Sequence, residues 1–214
     1  MDASKPAWEI AHLAANYLID GIAETFQEAK TKAAESLGFT DSGNLPSNIL
    51  VQKALAENLA LLEGEKWSLR VKEMRVAAVQ AMRFFSDFDP QLVGSVLYGT
   101  ATAFSVICLH VYSDDVEPLI WRLNDADINY RLGEVTLKAQ RNKTICFPSL
   151  EIAMAEFDFD VIVFPQAYRF NPPNSPLDGK PYQRADIARV EQLIGDDQIL
   201  FGRYLGPTAA ELNH

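Results

Sequence analysis

The sequence predicts an α+β protein: a helical region over residues 1–89, then a small α/β unit over 90–214. Three observations predict it. Apolar residues among the first ninety recur at steps of three and four, the period of a helix that buries one face. Pro90 closes that pattern. Beyond it lie short β-branched runs, turn-rich stretches and two further helical patterns, an arrangement that builds a mostly continuous sheet.

The first helical stretch, "AWEIAHLAANYLIDGIAETFQEAKTKAAESLGF", sets Ile10, Leu13, Ala14, Tyr17, Leu18 and Ile22 on one apolar stripe, with Gly38 where a C-cap glycine belongs. "TDSGNLPSN" is a polar break. Ser47 is placed to cap a second stretch through Ile49, Leu50, Ala54, Leu55, Leu59 and Leu62. Gly64 separates this from "KWSLRVKEMRVAAVQAMRFFSDF", whose inner face is Leu69, Met74, Val76, Val79, Met82 and Phe85. After Pro90, "QLV" and "FSVICLHVYS" read as strands. "VEPLIWRLNDADI" reads as a helix with Pro118 in its first turn, Asp114 and Asp115 as N-capping acids and Trp121 in the core. "NYRLGEVTLKA" and "KTICFPSLEIAMAEF" are strands joined by a polar turn. "DFDVIVFP" is a strand ended by Pro165, with Phe157 and Phe159 filling the core. "NPPNSPLDGKPY" is a loop and "RADIARVEQLI" a last helix.

Bulk composition narrows the function. The net charge is −10, and both parts of the chain are acidic. A protein that grips a phosphate backbone shows a basic footprint, so general nucleic-acid binding is disfavoured. Lys66, Arg70, Lys72, Arg75 and Arg83 form the one local basic cluster; a solvated helix face is the expected reading. Cys108 and Cys146 make no disulfide framework and sit in apolar stretches, so both are expected as small buried hydrophobes. The N-terminal residues lack the basic-then-apolar pattern of a signal peptide, and no apolar run approaches the ~18 residues of a membrane span. A cytoplasmic, reducing setting without a membrane is the expectation.

One stretch carries chemistry. "GSVLYGTATAFSVICLH" holds Gly94-Ser95, three residues, Gly99-Thr100, a short loop, then the strand Ser105-Val106-Ile107-Cys108-Leu109. It resembles the nucleotidyltransferase superfamily of DNA-polymerase-β type, whose frame is Gly-Ser, three residues, Gly-Thr or Gly-Ser, a short loop, and Ser-Asp-hydrophobic-Asp on a strand. "EAKTKAAESLG", "DADINYRLGE", "VIVFP" and "SPLDGKPYQRADIARVEQL" are similar to a bacterial subgroup of that superfamily, one with no established substrate. The resemblance implies a mixed β-sheet flanked by helices. It implies phosphate contacts at Gly94, Ser95, Gly99 and Thr100, where close-turning backbone and a hydroxyl hold phosphate oxygens. It also implies two metal-binding Asp at i and i+2 of the strand, on one face, and a third carboxylate on a neighbouring strand.

This chain departs from that pattern. Val106 and Cys108 stand at the two Asp positions, and Asp160 alone keeps the third carboxylate. Valine cannot ligate, and a cysteine sulfur suits zinc better than magnesium. The standard two-metal reaction is therefore expected to be lost or very weak. If their strands are neighbours, Cys108, His110, Asp158 and Asp160 would make a replacement metal site; the competing reading has Cys108 buried and His110 hydrogen-bonded near the sheet edge. Asp114 and Asp115 lie some ~20 Å along the strand from Val106, too far to replace the missing acids. Tyr168 and Arg169 begin a loop near the expected cleft, as candidate nucleotide contacts. His12 and His214 belong to no motif.

Three functions follow as expectations. The first is a regulatory module that binds a nucleotide or another small phosphorylated ligand, or a protein partner through the N-terminal helices. The second is an active nucleotidyltransferase moving NMP from an NTP to an acceptor, with Mg²⁺ and NTP as cofactors only in that case. The third is an assembly role, with a homodimer formed through the N-terminal helices.

Overall fold

The computed structural model describes residues 5–39, 45–138 and 144–195. The polar break at 40–44, the turn between the two long strands at 139–143, and His214 lie outside them. The chain is α+β, with the helices first and a mixed five-stranded sheet after them. The described residues divide into two compact units: 5–39, 45–70 and 99–105 in one, 71–98, 106–138 and 144–195 in the other.

The first unit holds α1 (Lys5–Ile19), α2 (Phe26–Ser36), α3 (Asn48–Leu62) and the start of α4 (Glu65–Phe84). The long first stretch is two helices, not one. Gly21 takes φ +68°, and a Cβ there would stand 2.8 Å from the Phe104 ring. Thr25 restarts the helix: its Oγ1 accepts from the Glu28 N–H at 3.1 Å. The break leaves Ile22 exposed, and the buried face of α1 is Ile10, Ala11, Ala14 and Ala15. At the end of α2, Gly38 is left-handed (φ +77°). The Phe39 N–H reaches the Ala34 carbonyl at 2.9 Å, a Schellman closure. Ser47 caps α3, accepting from the Leu50 N–H at 3.2 Å. Asn58 on α3 donates to the Asn16 side chain on α1 at 2.7 Å.

The second unit holds the rest of α4, then β1 (Gln91–Val93), α5 (Gly94–Tyr98), β2 (Ile107–Tyr112), α6 (Glu117–Asp125), β3 (Tyr130–Lys138), β4 (Thr144–Met154), β5 (Phe157–Phe164) and α7 (Ile187–Gly195). Strand order is β1-β2-β5-β4-β3. Among the described residues, β2–β5 is the one parallel pair. Met74, Val79 and Met82 of α4, and Phe85 just past its end, are buried as the periodicity predicts, but Leu69 and Val76 are exposed, and Trp67, Val71, Ala77, Ala78 and Ala81 are buried instead. On α6 the buried pair is Leu119 and Leu123, one turn apart, which leaves Trp121 outside at 64% exposure. Its N-cap is Val116, with no side-chain cap. The capping role expected of Asp114 and Asp115 is not made; Asp114 instead accepts the Gln166 N–H at 3.0 Å. Among the described residues, no helix is long and apolar enough to cross a membrane.

Candidate functional site

β1 ends because the chain turns at Gly94, whose φ is +73°. That left-handed conformation costs a residue with a Cβ roughly 1–2 kcal/mol, and glycine adopts it readily. A Cβ at Gly94 would lie 3.9 Å from the Cys108 Cβ, so backbone conformation rather than space calls for glycine. α5 starts at once, with half-buried Ser95 in its first turn. Arg75 is buried and locks the far end of α5. Its Nε donates to the Val96 carbonyl at 3.1 Å, Nη2 to the Leu97 carbonyl at 2.9 Å and Nη1 to the Leu193 carbonyl at 3.4 Å.

Beside this turn a row of side chains crosses the sheet. Val93, Cys108, Asp160, Glu151 and Arg131 are successive partners on β1, β2, β5, β4 and β3. Directly opposed residues project to one face, so the five share it. Arg131 closes off Glu151: its Nε donates to a Glu151 carboxylate oxygen at 2.9 Å, and its Nη2 makes a second contact with the same oxygen. Asp160 keeps Oδ1 buried without a hydrogen-bond partner. Burial, and then the Glu151 charge, push its carboxyl above the usual carboxylate range. Cys108 retains some exposure, yet the atoms packed around it push its thiol up to about 12, with Asp160 the second cause. Both effects keep the pair uncharged more readily than in water.

One step along the same face, His110 is completely buried. Its ring meets Phe164 edge-on at 4.6 Å and Tyr182 at 4.7 Å, and neither nitrogen has a hydrogen-bond partner. Burial first, and the Arg184 charge second, hold its pKa down to about 3. β2 is an interior strand, so the expected hydrogen bond at a sheet edge is not made. The Tyr182 hydroxyl is raised by burial, then by Cys108, Tyr98 and Asp160, which places these groups in one neighbourhood.

The other expected residues fall as follows. Asp158 is exposed opposite Ala153. Among the described residues, no group of three or more His, Cys, Asp or Glu gathers closely enough to hold a metal ion. Val106 stands before β2 at 40% exposure. Gly99 (φ +76°) and Thr100 belong to the first unit; Thr100 is buried and accepts from Gln52 Nε2 at 3.4 Å. Tyr168 and Arg169 each have partners within the protein. Tyr168 packs edge-on against Phe147 at 5.1 Å, and Arg169 pairs with Asp89 at 2.6 Å. Cys146 is exposed on β4, not buried, and Phe157 is only half-buried. The basic cluster is largely paired: Arg70 with Glu63 at 2.5 Å, Arg83 with Glu191 at 2.6 Å, and Arg75 on its carbonyls.

Glu151, Arg131 and Tyr182 were not singled out by sequence reasoning, and Arg75, expected on a solvated helix face, is instead buried against the α5 carbonyls. The alternation of β4 marks Glu151 as sharing a face with Ser149, but only the strand register sets it against Asp160. Fold and face together define a class: an α+β chain with a mixed sheet and a thiol–carboxyl pair beside a glycine turn. No protein-family model, no curated protein and no solved structure matches the chain.

Proposed function

We propose that this chain carries a nucleotidyltransferase-like frame whose two-metal catalysis is lost or very weak, and that it serves as a regulatory module binding a nucleotide or another small phosphorylated ligand. The observation that supports this most directly is the register of Cys108 with Asp160 beside Gly94. Cys108 and Asp160 stand side by side near the glycine turn, which supports reading them as the second metal position and the third carboxylate of such a frame, with a thiol in place of an acid.

The donor set does not fit a pair of magnesium ions. Val106 has no donor atom, and Mg²⁺ demands hard oxygen ligands in near-octahedral array. The Cys108 thiol, held up to about 12, stays protonated at neutral pH. Asp160 is the one acid left of three. An active enzyme is the second reading, and one feature favours it: Glu151 faces Asp160, giving two adjacent carboxylates that sequence alone did not pair. Against it, Glu151 is already held by Arg131.

Two finer points belong to the same proposal. A cytoplasmic setting is supported by Cys108 and Cys146, which are both free thiols. A contact to a partner or second copy through the N-terminal helices is supported by Leu61, Leu62 and Leu69, all more than half exposed near the α3–α4 corner. Sedimentation at rising concentration tests it; a strict monomer at all concentrations removes the homodimer.

Calorimetry with ATP, GTP, CTP and UTP, each with and without Mg²⁺ or Mn²⁺, tests the main reading. Saturable binding that needs no metal supports a regulatory module. Binding that requires the metal favours the enzyme. No binding of any of the four contradicts the enzyme and the nucleotide-binding module, and favours the assembly role.

A further inference from the structure

We propose a second binding site, in the second unit and away from the Cys108–Asp160 row, that takes a small organic ammonium ion. It is a cleft of about 490 Å³ between the end of α4 and α6, lined by Phe84, Phe88, Pro118, Trp121, Arg122 and Asp125. It is a shallow groove open to solvent, which suits a small ion held against one wall rather than an enclosed ligand.

Three features of its lining select the charge of the occupant. The first is aromatic. Trp121 projects from α6 at 64% exposure, because the buried positions of that helix are Leu119 and Leu123. Indole is the side chain whose face attracts cations best. The cleft already holds one such contact of its own: the Arg122 guanidinium lies 5.3 Å from the Phe88 ring centroid and 6.0 Å from that of Phe84.

The second is that Arg122 is committed. Its Nη1 donates to the Phe84 carbonyl at 2.6 Å and its Nη2 pairs with the Asp87 carboxylate. Its charge is thereby balanced, and it offers little to an incoming anion.

The third is Asp125. It is exposed, and among the described residues it has no hydrogen-bond or ion-pair partner. It is also the last residue of α6, where the unpaired backbone carbonyls already place partial negative charge. A carboxylate at that end repels the helix terminus. A cation seated between Asp125 and the Trp121 face relieves that repulsion and meets the indole at once. Phe84, Phe88 and Pro118 suit an ammonium that carries methyl or methylene groups rather than a bare inorganic ion.

The test uses the full chain labelled with ¹⁵N and follows the Trp121 indole N–H. Choline is the probe, and 3,3-dimethylbutan-1-ol, its neutral carbon analogue, is the control. Choline is expected to shift the Trp121 signal saturably while Trp8 and Trp67 stay fixed, and to bind about tenfold more tightly than the alcohol. Asp125→Asn and Trp121→Leu, both exposed and harmless to the core, should each weaken choline several-fold. Asp125→Glu should restore it. Equal binding of the neutral analogue would show an apolar groove without charge preference and overturn the proposal. So would an unmoved Trp121 signal, or full choline affinity in Asp125→Asn.

Discussion

His110→Phe should make the protein more stable and remove much of its sensitivity to mild acid. The imidazole is fully buried between the rings of Phe164 and Tyr182, and both of its nitrogens lack partners. A buried polar group left unpaired costs about 1–3 kcal/mol, so an apolar ring of similar size should gain on that order at neutral pH. The acid effect follows from linkage. The folded-state pKa is held down to about 3, against 6.5 when unfolded. Between those values the unfolded chain binds the proton and the folded chain does not, so stability is present above the unfolded pKa and is lost as pH falls toward the folded one. From the two pKa values, the loss between pH 7 and pH 5 is about 2 kcal/mol, and approaches ~5 kcal/mol below pH 3. Urea unfolding at pH 5, 6 and 7, in wild type and variant, reads the difference directly. If both lose stability equally between pH 7 and 5, His110 titrates freely and the burial argument is refuted.

Other substitutions probe the same face. Arg75→Met removes two well-formed charge-assisted hydrogen bonds to the carbonyls of α5, each worth roughly 1.5–3 kcal/mol. A loss of several kcal/mol in urea unfolding is expected, and a loss under ~0.5 kcal/mol would show that Arg75 does not hold α5. Gly94→Ala should cost about 1–2 kcal/mol through its φ of +73° alone, with no steric term, and unchanged stability would contradict that conformation. Asp160→Asn carries the opposite pH sign from His110→Phe. The raised folded pKa makes the wild-type acid most favourable at low pH and less so as pH rises through that value. The Asn variant should therefore gain on wild type between pH 4 and pH 7, and a shrinking gap would reverse the assignment.

Local chemistry was the part of the fold legible in the sequence. Ser47, Gly38, Gly64, Pro90 and Pro165 mark their boundaries with residues whose own preferences set them, and the structure places a boundary at each. The break at Gly21 was also written locally, in Gly21 and the Thr25–Glu28 cap. The unbroken three-and-four spacing across it hid the interruption. What failed depended on partners far along the chain. Asp114 looks like a cap because a helix follows, but its carboxylate is taken by a backbone N–H fifty-two residues on. Trp121 looks like core because it is large and apolar, and its direction was set by the Leu119–Leu123 pair. In the candidate site, the turn at Gly94 and the presence of Val106, Cys108 and Asp160 were readable residue by residue. The opposition of Glu151 to Asp160 and the burial of His110 were not, because both arise from strand register and from the loop carrying Tyr182.

The central claim is that a nucleotidyltransferase-like frame persists here without its metal-binding acids. Its most direct test is turnover of NTP by wild type and by the double variant Val106→Asp with Cys108→Asp, assayed with Mg²⁺ across the four nucleotides. Negligible wild-type turnover and a Mg²⁺-dependent gain in the double variant are expected. Wild-type turnover at ordinary enzyme rates, on the order of 1–10³ per second, would contradict the claim.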